Sequence, residues 1–258
     1  MKSCNGFYGV NMDNILISEA VYFLKKIWNY QSELANCFSL VWIKKDNQRD
    51  LGYIHFCKQI YGKDLFSKIY EWLRQNLSNL AMEGYDIYYQ VLPLWRKPEK
   101  GRGTKNEVKI SKWLWCDLDF KEEVLDVELD DNLKEKLKFK DYYCEEKDNY
   151  GLFCTYRKNK YSWYVVKRPA LAEILEKAAK SFRLPDIVVD SGNGYHLYFE
   201  LNKEESALKI LSLEENVVEL LGGDEKSKDL ARILRLPGTV NQKNKRISKV
   251  IYRKNNLI

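Results

Sequence analysis

Apolar positions along the chain alternate between helical and strand spacing, which predicts a protein containing both helices and sheets. Residues 16–35 and 63–81 place apolar side chains three and four positions apart, as one face of a helix does. The same spacing predicts helices over 171–182 and 203–221. The second of these should end at Gly222-Gly223, because glycine commonly terminates a helix.

Short runs rich in aromatic and β-branched residues, bounded by polar turns, predict strands. These runs cover residues 37–44, 53–57, 87–95, 113–120 and 249–253, and residues 187–200 form a hairpin around a Ser-Gly-Asn-Gly turn. Strands and helices alternate irregularly, so we predict an α+β fold of mixed or antiparallel sheets in two closely packed lobes.

Residues 121–160 are polar, acidic and rich in tyrosine, and they predict a helical or irregular insertion rather than a separate domain. We therefore predict a single domain over residues 1–258. Residues 1–90 would contribute the N-terminal part, and residues 91–258 would carry the chemistry together with this insertion.

Charge is unevenly distributed along the chain. The net charge is +6, but residues 121–148 hold eleven acids and six lysines, a local balance of −5 that leaves +11 for the remainder. A basic body fits a polyanionic partner such as nucleic acid, although a lysine-rich thermostable surface has the same composition. The sequence shows no signal-peptide pattern and no apolar run of membrane-spanning length, so we expect a cytoplasmic protein that does not engage a membrane.

The six cysteines are scattered without C-x-x-C spacing, and reduced, partly buried thiols are the simplest expectation. Cys144 and Cys154 could bracket a loop as zinc ligands or as a disulfide. Neither histidine lies near them in the sequence, so the Cys and His spacing does not support a zinc site.

Two aspartates one residue apart, Asp117 and Asp119, end the strand predicted at 113–120. Alternation puts both carboxylates on one face, with Cα atoms roughly 6–7 Å apart. Such a pair suits two divalent cations held about 3.5–4 Å apart. Two solvated acids at the end of a strand would have the same sequence.

The hairpin turn at 191–194 offers backbone N–H groups and the Ser191 hydroxyl, a combination that can bind an anion. His196 follows the turn and could hydrogen-bond a phosphate, although a lone histidine on a strand is usually structural.

A basic loop that contains Gly and Pro covers residues 96–105 and precedes the strand with Asp117 and Asp119. It is either a solvated surface loop or a phosphate-contacting one, and its cations are Arg96, Lys97, Lys100, Arg102 and Lys105.

Arg232 and Arg235 are three residues apart, so a helical turn would project them from one side. Asp229 precedes Arg232 by the same interval. The segment is either a surface helix with a local ion pair or a partly buried site that binds an anion.

Three elements, taken in order, resemble the archaeo-eukaryotic primase superfamily, and in particular the primase–polymerases of plasmids and other mobile elements. They are the D-x-D strand at Asp117 and Asp119, the S-G-x-G-x-H hairpin from Ser191 to His196, and the string D-x-x-R-x-x-R-L-P-G-T-x-N-x-K from Asp229 to Lys243. The resemblance covers roughly residues 90–245, and many plasmid relatives have Glu where this chain has Asp119.

The resemblance implies a fold with a catalytic sheet of the RNA-recognition type. It implies template-directed nucleotidyl transfer on single-stranded DNA, meaning primer synthesis, polymerisation or both. Asp117, Asp119 and Asp229 would hold two Mg²⁺ or Mn²⁺ ions. The NTP or dNTP would contact Ser191, Gly192, Asn193, His196, Arg232, Arg235, Asn241 and Lys243. The basic loop at 96–105 would contact template strand.

Two other readings remain open from the sequence. The Asp and His set also suits a metal-dependent nuclease or phosphoesterase, and a basic surface alone would suffice for a non-catalytic nucleic-acid-binding replication protein. Helicases or other replication proteins would be natural partners, although the chain has no G-x-x-x-x-G-K-[ST] helicase signature.

Overall fold

A computed structural model describes residues 14–44, 47–120, 122–125, 142–147, 150–157 and 160–254, with side chains for 16–44, 50–120 and 168–254. The helices are α1 (Asn14–Ile27), α2 (Lys58–Tyr61), α3 (Leu65–Met82), α4 (Leu171–Ser181) and α5 (Ala207–Leu221), with 3-10 turns at Gly62–Asp64, Lys105–Glu107 and Glu225–Lys228. No helix within these ranges combines the length and the apolar character that crossing a bilayer requires.

The strands form three four-stranded sheets and one short hairpin, and every described pairing is antiparallel. In chain order they are β1 (Cys37–Lys44), β2 (Asn47–Cys57), β3 (Tyr85–Gln90), β4 (Ile110–Asp119), β5 (Glu122–Leu125), β6 (Tyr142–Lys147), β7 (Tyr150–Arg157), β8 (Lys160–Lys167), β9 (Ile187–Asp190), β10 (Gly194–Ser206), β11 (Ile233–Arg235), β12 (Val240–Asn241), β13 (Arg246–Ile247) and β14 (Lys249–Arg253). The α+β expectation is confirmed, and the described sheets are antiparallel rather than mixed.

The first sheet has the order β11-β3-β1-β2 and the second has the order β14-β9-β10-β4. Buried aromatic residues join them, because Tyr89 on β3 donates a hydrogen bond to Tyr198 on β10 at 2.7 Å between the hydroxyl oxygens. Phe23 of α1 packs edge-on against both rings, at centroid distances of 5.2 and 5.5 Å. This shared core fixes β3 and β11 opposite β4 and β10.

The polar insertion is built from strands in its described parts, which corrects the prediction of a helical or irregular segment. β5 to β8 form their own sheet in the order β5-β8-β7-β6. β8 continues past residue 160, where the insertion was predicted to end, and its run Tyr161-Ser162-Trp163-Tyr164-Val165-Val166 is aromatic and β-branched, as strands favour. The acidic composition of residues 121–160 concealed the strands within those bounds, and residues 126–141 lie outside the described ranges.

Cysteine pairing also differs from the expectation of reduced thiols. Cys37 and Cys57 form a disulfide, and they are directly opposite in the β1–β2 pairing. Cys116 is a free, buried thiol, as expected. The side chains of Cys144 and Cys154 lie outside the described part, although their backbones occupy the neighbouring strands β6 and β7.

Candidate active site

Three carboxylates converge at the end of β4. The ligand oxygens of Asp117, Asp119 and Asp224 lie within 4.8 Å of one another. Asp117 is buried, with 5% of its surface exposed, whereas Asp119 is exposed at the last position of the strand. Oxygen ligands at this separation are those that Mg²⁺ and Mn²⁺ prefer.

Asp224 reaches the pair because α5 ends directly against β4. Gly222 takes the left-handed conformation that ends the helix, with φ of 69°. Gly223 then lies so close to β4 that a Cβ there would be 2.5 Å from Cys116 Sγ. The backbone N–H of Asp224 donates to the carbonyl of Asp117 at 2.8 Å. One backbone hydrogen bond therefore holds the third acid beside the first.

The structure corrects the sequence prediction for the third acid, because Asp229 is not in this group. One carboxylate oxygen of Asp229 accepts the backbone N–H of Ala231 at 3.1 Å, and its charge acts on Arg102. The sequence did contain a usable signal for Asp224. It follows the Gly222-Gly223 stop of a helix that should pack back on the sheet.

The electrostatics of the acid group fit a divalent cation. Burial raises the pKa of Asp117, partly opposed by the nearby Arg232 guanidinium. Partial desolvation by the surrounding cleft, together with the charge of Asp117, raises the pKa of Asp119, although solvent still reaches this side chain. Oδ1 of Asp117 is buried and accepts no hydrogen bond from the described residues. A bound cation would relieve both the repulsion and the unsatisfied oxygen.

His196 lies on β10 directly opposite Asp117, and its Nε2 is 3.6 Å from Asp117 Oδ1. Burial lowers the pKa of His196 to about 3, so the imidazole is neutral near pH 7. The Tyr198 hydroxyl, which accepts the Tyr89 hydroxyl proton, lies 3.4 Å from His196 Nδ1. Nε2 is the ring nitrogen that lies beside Asp117 Oδ1.

Hydrogen bonds within the hairpin turn engage two of the backbone N–H groups that the sequence offered for binding an anion. The N–H of Gly192 donates to Asp190 Oδ1 at 2.8 Å, and that of Gly194 donates to Ser191 Oγ at 3.1 Å. Because those donors are engaged, an anion cannot use them without breaking the turn. Ser191 and Asn193 are nevertheless among the residues that line the cleft.

The three-residue spacing of Arg232 and Arg235 predicted that both lie on one helical turn. In the structure they do not. Arg235 lies in β11, which pairs with β3, and its guanidinium forms an ion pair with Asp86 at 2.5 Å. It also lies over the Tyr88 ring, 5.1 Å from the centroid. Arg232 instead reaches the acids, with Nη2 2.7 Å from Asp117 Oδ2. The pairing of β11 with β3, which is a tertiary contact, holds the backbone of Arg235 in an extended conformation instead of a helical one.

Asn241 ties the motif to the hairpin rather than presenting a free amide. Its Nδ2 donates to the carbonyl of Ser191 at 3.0 Å, and its Oδ1 accepts the backbone N–H of Lys243 at 3.1 Å. The sequence left the role of Asn241 open between the sugar and a phosphate, and in the structure its amide connects the Ser191 carbonyl to the Lys243 backbone. Lys243 lines the cleft with an exposed side chain.

A single cleft of about 300 Å³ collects most of the predicted site residues between the two main sheets. Predicted residues that line it are Asp117, Asp119, Ser191, Asn193, His196, Arg232, Arg235, Asn241 and Lys243. The sequence missed Asp86 and Tyr88, which also line it. The strand was predicted to begin at residue 87, so Tyr88 lay inside it and Asp86 just before it. Only the observed start at Tyr85 puts both side chains on one face of the strand.

The basic loop lies between the edge of the first sheet and the motif segment. The Tyr53 hydroxyl accepts the Gly101 N–H at 3.1 Å, and His55 Nε2 is 3.0 Å from the Gly101 carbonyl. Arg102 is half-buried and donates to the Ala231 carbonyl at 2.5 Å, so it anchors the loop. The other predicted cations, Arg96, Lys97, Lys100 and Lys105, are exposed.

No family model matches the chain. Over 79 residues it is 35% identical to a replication protein of Clostridium perfringens, a match that spans 28% of this chain and 19% of that relative. The chain thus spans only about a fifth of the curated relative's length.

Three solved structures share the fold. The AEP domain of the cyanophage S-2L primase–polymerase aligns over 93% of this chain and 92% of its own, with a TM-score of 0.55 and 10% identity. The catalytic domain of primase RepB′, solved in complex with initiator DNA, aligns over 95% and 87%, with a TM-score of 0.53 and 12% identity. A further RepB′ primase structure aligns over 93% of this chain and 57% of its own, with a TM-score of 0.53. The chain therefore has the fold of AEP primase–polymerase catalytic domains, as the motif resemblance implied.

Proposed function

We propose that this protein catalyses template-directed nucleotidyl transfer on single-stranded DNA, making primers, extending them or both. The observation that carries the proposal is the cleft, where residues remote in the chain place three carboxylates beside a neutral histidine and a cationic wall. The shared fold with primase catalytic domains supports the same reaction class.

Asp117, Asp119 and Asp224 are the residues that would hold two Mg²⁺ or Mn²⁺ ions. When bound, these ions would lower the pKa of the attacking 3′-hydroxyl and would neutralise charge on the leaving pyrophosphate. Asp224 replaces Asp229 in this role, since Asp229 serves the local turn.

The triphosphate would be bound by donors from both sheets. A neutral His196 with its proton on Nε2 would donate a hydrogen bond to a phosphate oxygen. Arg232, Arg235 and Lys243 supply positive charge around the same cleft. Asn241 holds the backbone that carries Lys243.

The template would pass over the basic loop at 96–105. Its exposed cations can contact phosphates, and Trp95, 37% exposed with the Arg96 guanidinium 4.9 Å from its ring centroid, offers a surface for base stacking. The RepB′ structure with initiator DNA supports a DNA partner of this kind.

The decisive experiment incubates the protein with unprimed or primed single-stranded DNA, Mn²⁺ or Mg²⁺, and labelled NTPs or dNTPs. We expect nucleotide-dependent extension that the double variant Asp117→Asn, Asp119→Asn abolishes while single-stranded DNA binding stays within about twofold, because phosphate contacts dominate that affinity. Undiminished extension by the double variant would remove the metal assignment. Cleavage of DNA without nucleotide would show a nuclease, and binding with neither activity would show a passive DNA-binding protein.

A further inference from the structure

The Arg232 guanidinium lies beside two of the three acids. Its Nη2 is 2.7 Å from Asp117 Oδ2 and 3.7 Å from Asp224 Oδ2. Within the described residues, the ion pair of Asp117 is with Arg232, since His196, 3.6 Å away, is neutral near pH 7. The guanidinium is therefore the counter-ion of the acid group.

The guanidinium also carries a donor that the protein does not use. Nε of Arg232 is buried and has no hydrogen-bond partner among the described residues, and Nη1 makes only a long bond of 3.3 Å to the Lys226 carbonyl. A buried unsatisfied donor is costly, so this geometry favours an anion at the guanidinium.

The backbone of Arg232 is held independently of its side chain. Its N–H donates to the Asp229 carbonyl at 2.8 Å, and Arg102 fixes the preceding carbonyl of Ala231 at 2.5 Å. The side chain, with 24% of its surface exposed, can thus change partners while the turn stays in place.

We propose that Arg232 is an exchangeable counter-ion: it neutralises Asp117 and Asp224 in the nucleotide-free protein and transfers to the triphosphate when metal and nucleotide bind. The inference rests on the proposed function. Arg232 and a metal ion then compete for Asp117, whereas metal and triphosphate cooperate through Arg232. Because of this exchange, the negative charges of Asp117 and Asp224 are neutralised by a nearby cation both before and after metal binds.

The test compares Arg232→Gln with Lys243→Gln, using electron paramagnetic resonance of free Mn²⁺ to measure binding. Each variant removes one positive charge from the same cleft, so the loss of general electrostatics is matched. We expect Mn²⁺ alone to bind Arg232→Gln about tenfold more tightly than wild type, a typical coupling between two sites, and Lys243→Gln within about threefold. A non-hydrolysable dNTP analogue should bind both variants more weakly.

The possible results distinguish a failure of the counter-ion exchange from a failure of the proposed function. If Arg232→Gln binds Mn²⁺ no more tightly than Lys243→Gln, the exchange is wrong while the metal site stands. If wild-type protein binds no Mn²⁺ with or without the analogue, the proposed function itself fails.

A measurement on wild-type protein covers the case in which Arg232→Gln does not fold. In protein labelled with ¹⁵N-arginine, Mg²⁺ alone should shift the Arg232 Nε–H resonance, assigned by its loss in Arg232→Lys. The Arg235 resonance should stay in place, because that side chain pairs with Asp86. An Arg232 resonance that does not respond to Mg²⁺ would overturn the proposal.

Discussion

Asp117 is subject to two opposing influences in the cleft, burial of its carboxylate and the positive charge of Arg232. Its Oδ2 is ion-paired to Arg232, while its Oδ1 is buried, faces His196 Nε2 and accepts no hydrogen bond from the described residues. Burial raises its pKa and the guanidinium lowers it again. A carboxylate left half-satisfied inside a protein is costly unless a ligand completes it.

At the same scale, the identity of the third acid is testable by paired substitutions. Asp224→Asn should reduce templated extension by about 100-fold or more, since even outer-shell partners of a metal site contribute 10–100-fold. Asp229→Asn should reduce it by less than about tenfold, because the amide oxygen can still accept the Ala231 N–H. Extension rates, with Mn²⁺ binding measured in parallel, check both. An Asp229→Asn loss as large as that of Asp224→Asn would return the metal role to Asp229.

At the scale of elements, the junction between α5 and β4 creates the acid group. The helix ends at Gly222, and the absence of a side chain at Gly223 lets the chain approach Cys116 closely enough for the Asp224 N–H to reach the Asp117 carbonyl. Positioning of the third acid is therefore a property of helix packing, not of the acidic residue alone.

Gly223→Ala should separate Asp224 from the pair. The new Cβ would lie 2.5 Å from Cys116 Sγ and 3.3 Å from the Asp117 carbonyl oxygen, so we expect a loss of about 1–3 kcal/mol in unfolding free energy and weaker Mn²⁺ binding. Gly222→Ala is the control: it strains the same helix end by about 1 kcal/mol, but its Cβ meets only Lys177 Nζ at 3.4 Å. Equal Mn²⁺ affinities in the two variants would contradict the packing explanation.

The same helix buries a titratable side chain against β4. Glu214 is fully buried, and its carboxyl oxygens accept the Trp115 N–H at 3.2 and 3.3 Å. Burial raises the pKa of Glu214 well above its ordinary value, opposed by that single N–H. Between the ordinary Glu pKa and the pKa of Glu214 in the folded protein, the folded protein thus retains a proton that the unfolded chain has lost. The stability contributed by this difference in proton binding is fully present below the ordinary Glu pKa. It is lost as the pH rises through the folded-state pKa.

Glu214→Gln should remove that pH dependence. As pH rises above the ordinary Glu pKa, the variant should gain stability relative to wild type by up to about 1.4 kcal/mol per pH unit, the free energy linked to one proton. Urea unfolding between pH 5 and 8 measures the difference. Parallel stability curves for the two proteins would show that Glu214 ionises as readily in the folded state as in the unfolded one.

At the scale of the whole molecule, the insertion leaves and re-enters the core at one point. The ring of Phe120, just before it, packs on Tyr195 at 5.2 Å between centroids. The guanidinium of Arg168, just after it, lies 5.2 Å from the same ring centroid, and the Pro169 carbonyl accepts the Tyr195 hydroxyl. In the described pairings, β5 to β8 bond only to one another.

Replacing residues 121–167 with a short Gly/Ser linker should therefore leave the rest folded, because both ends of the insertion already lie against one side chain. We expect a single cooperative melting transition within about 5 °C of wild type and unchanged Mn²⁺ affinity. Aggregation or a broadened melting transition would show that the rest of the protein needs the insertion in order to fold.

Local patterns determined much of the secondary structure. The strands predicted at 37–44 and 249–253 match β1 and β14, and the helix predicted at 63–81 matches Leu65–Met82. Periodicity of two or 3.6 residues is a property of neighbouring positions, so it can be read without the fold. Asp117, Asp119 and His196 could be found in the same way, because each belongs to a short motif on a recognisable strand.

Contacts between distant segments decided the rest. The Cys37–Cys57 disulfide depends on the register of β1 against β2, and the strand that carries Arg235 forms only because β3 lies beside it. Asp224 became the third acid, and Arg232 its counter-ion, where a helix end meets a strand more than 100 positions earlier in the chain. Which acid fills such a position depends on the packing of α5 against β4, which sequence spacing does not encode.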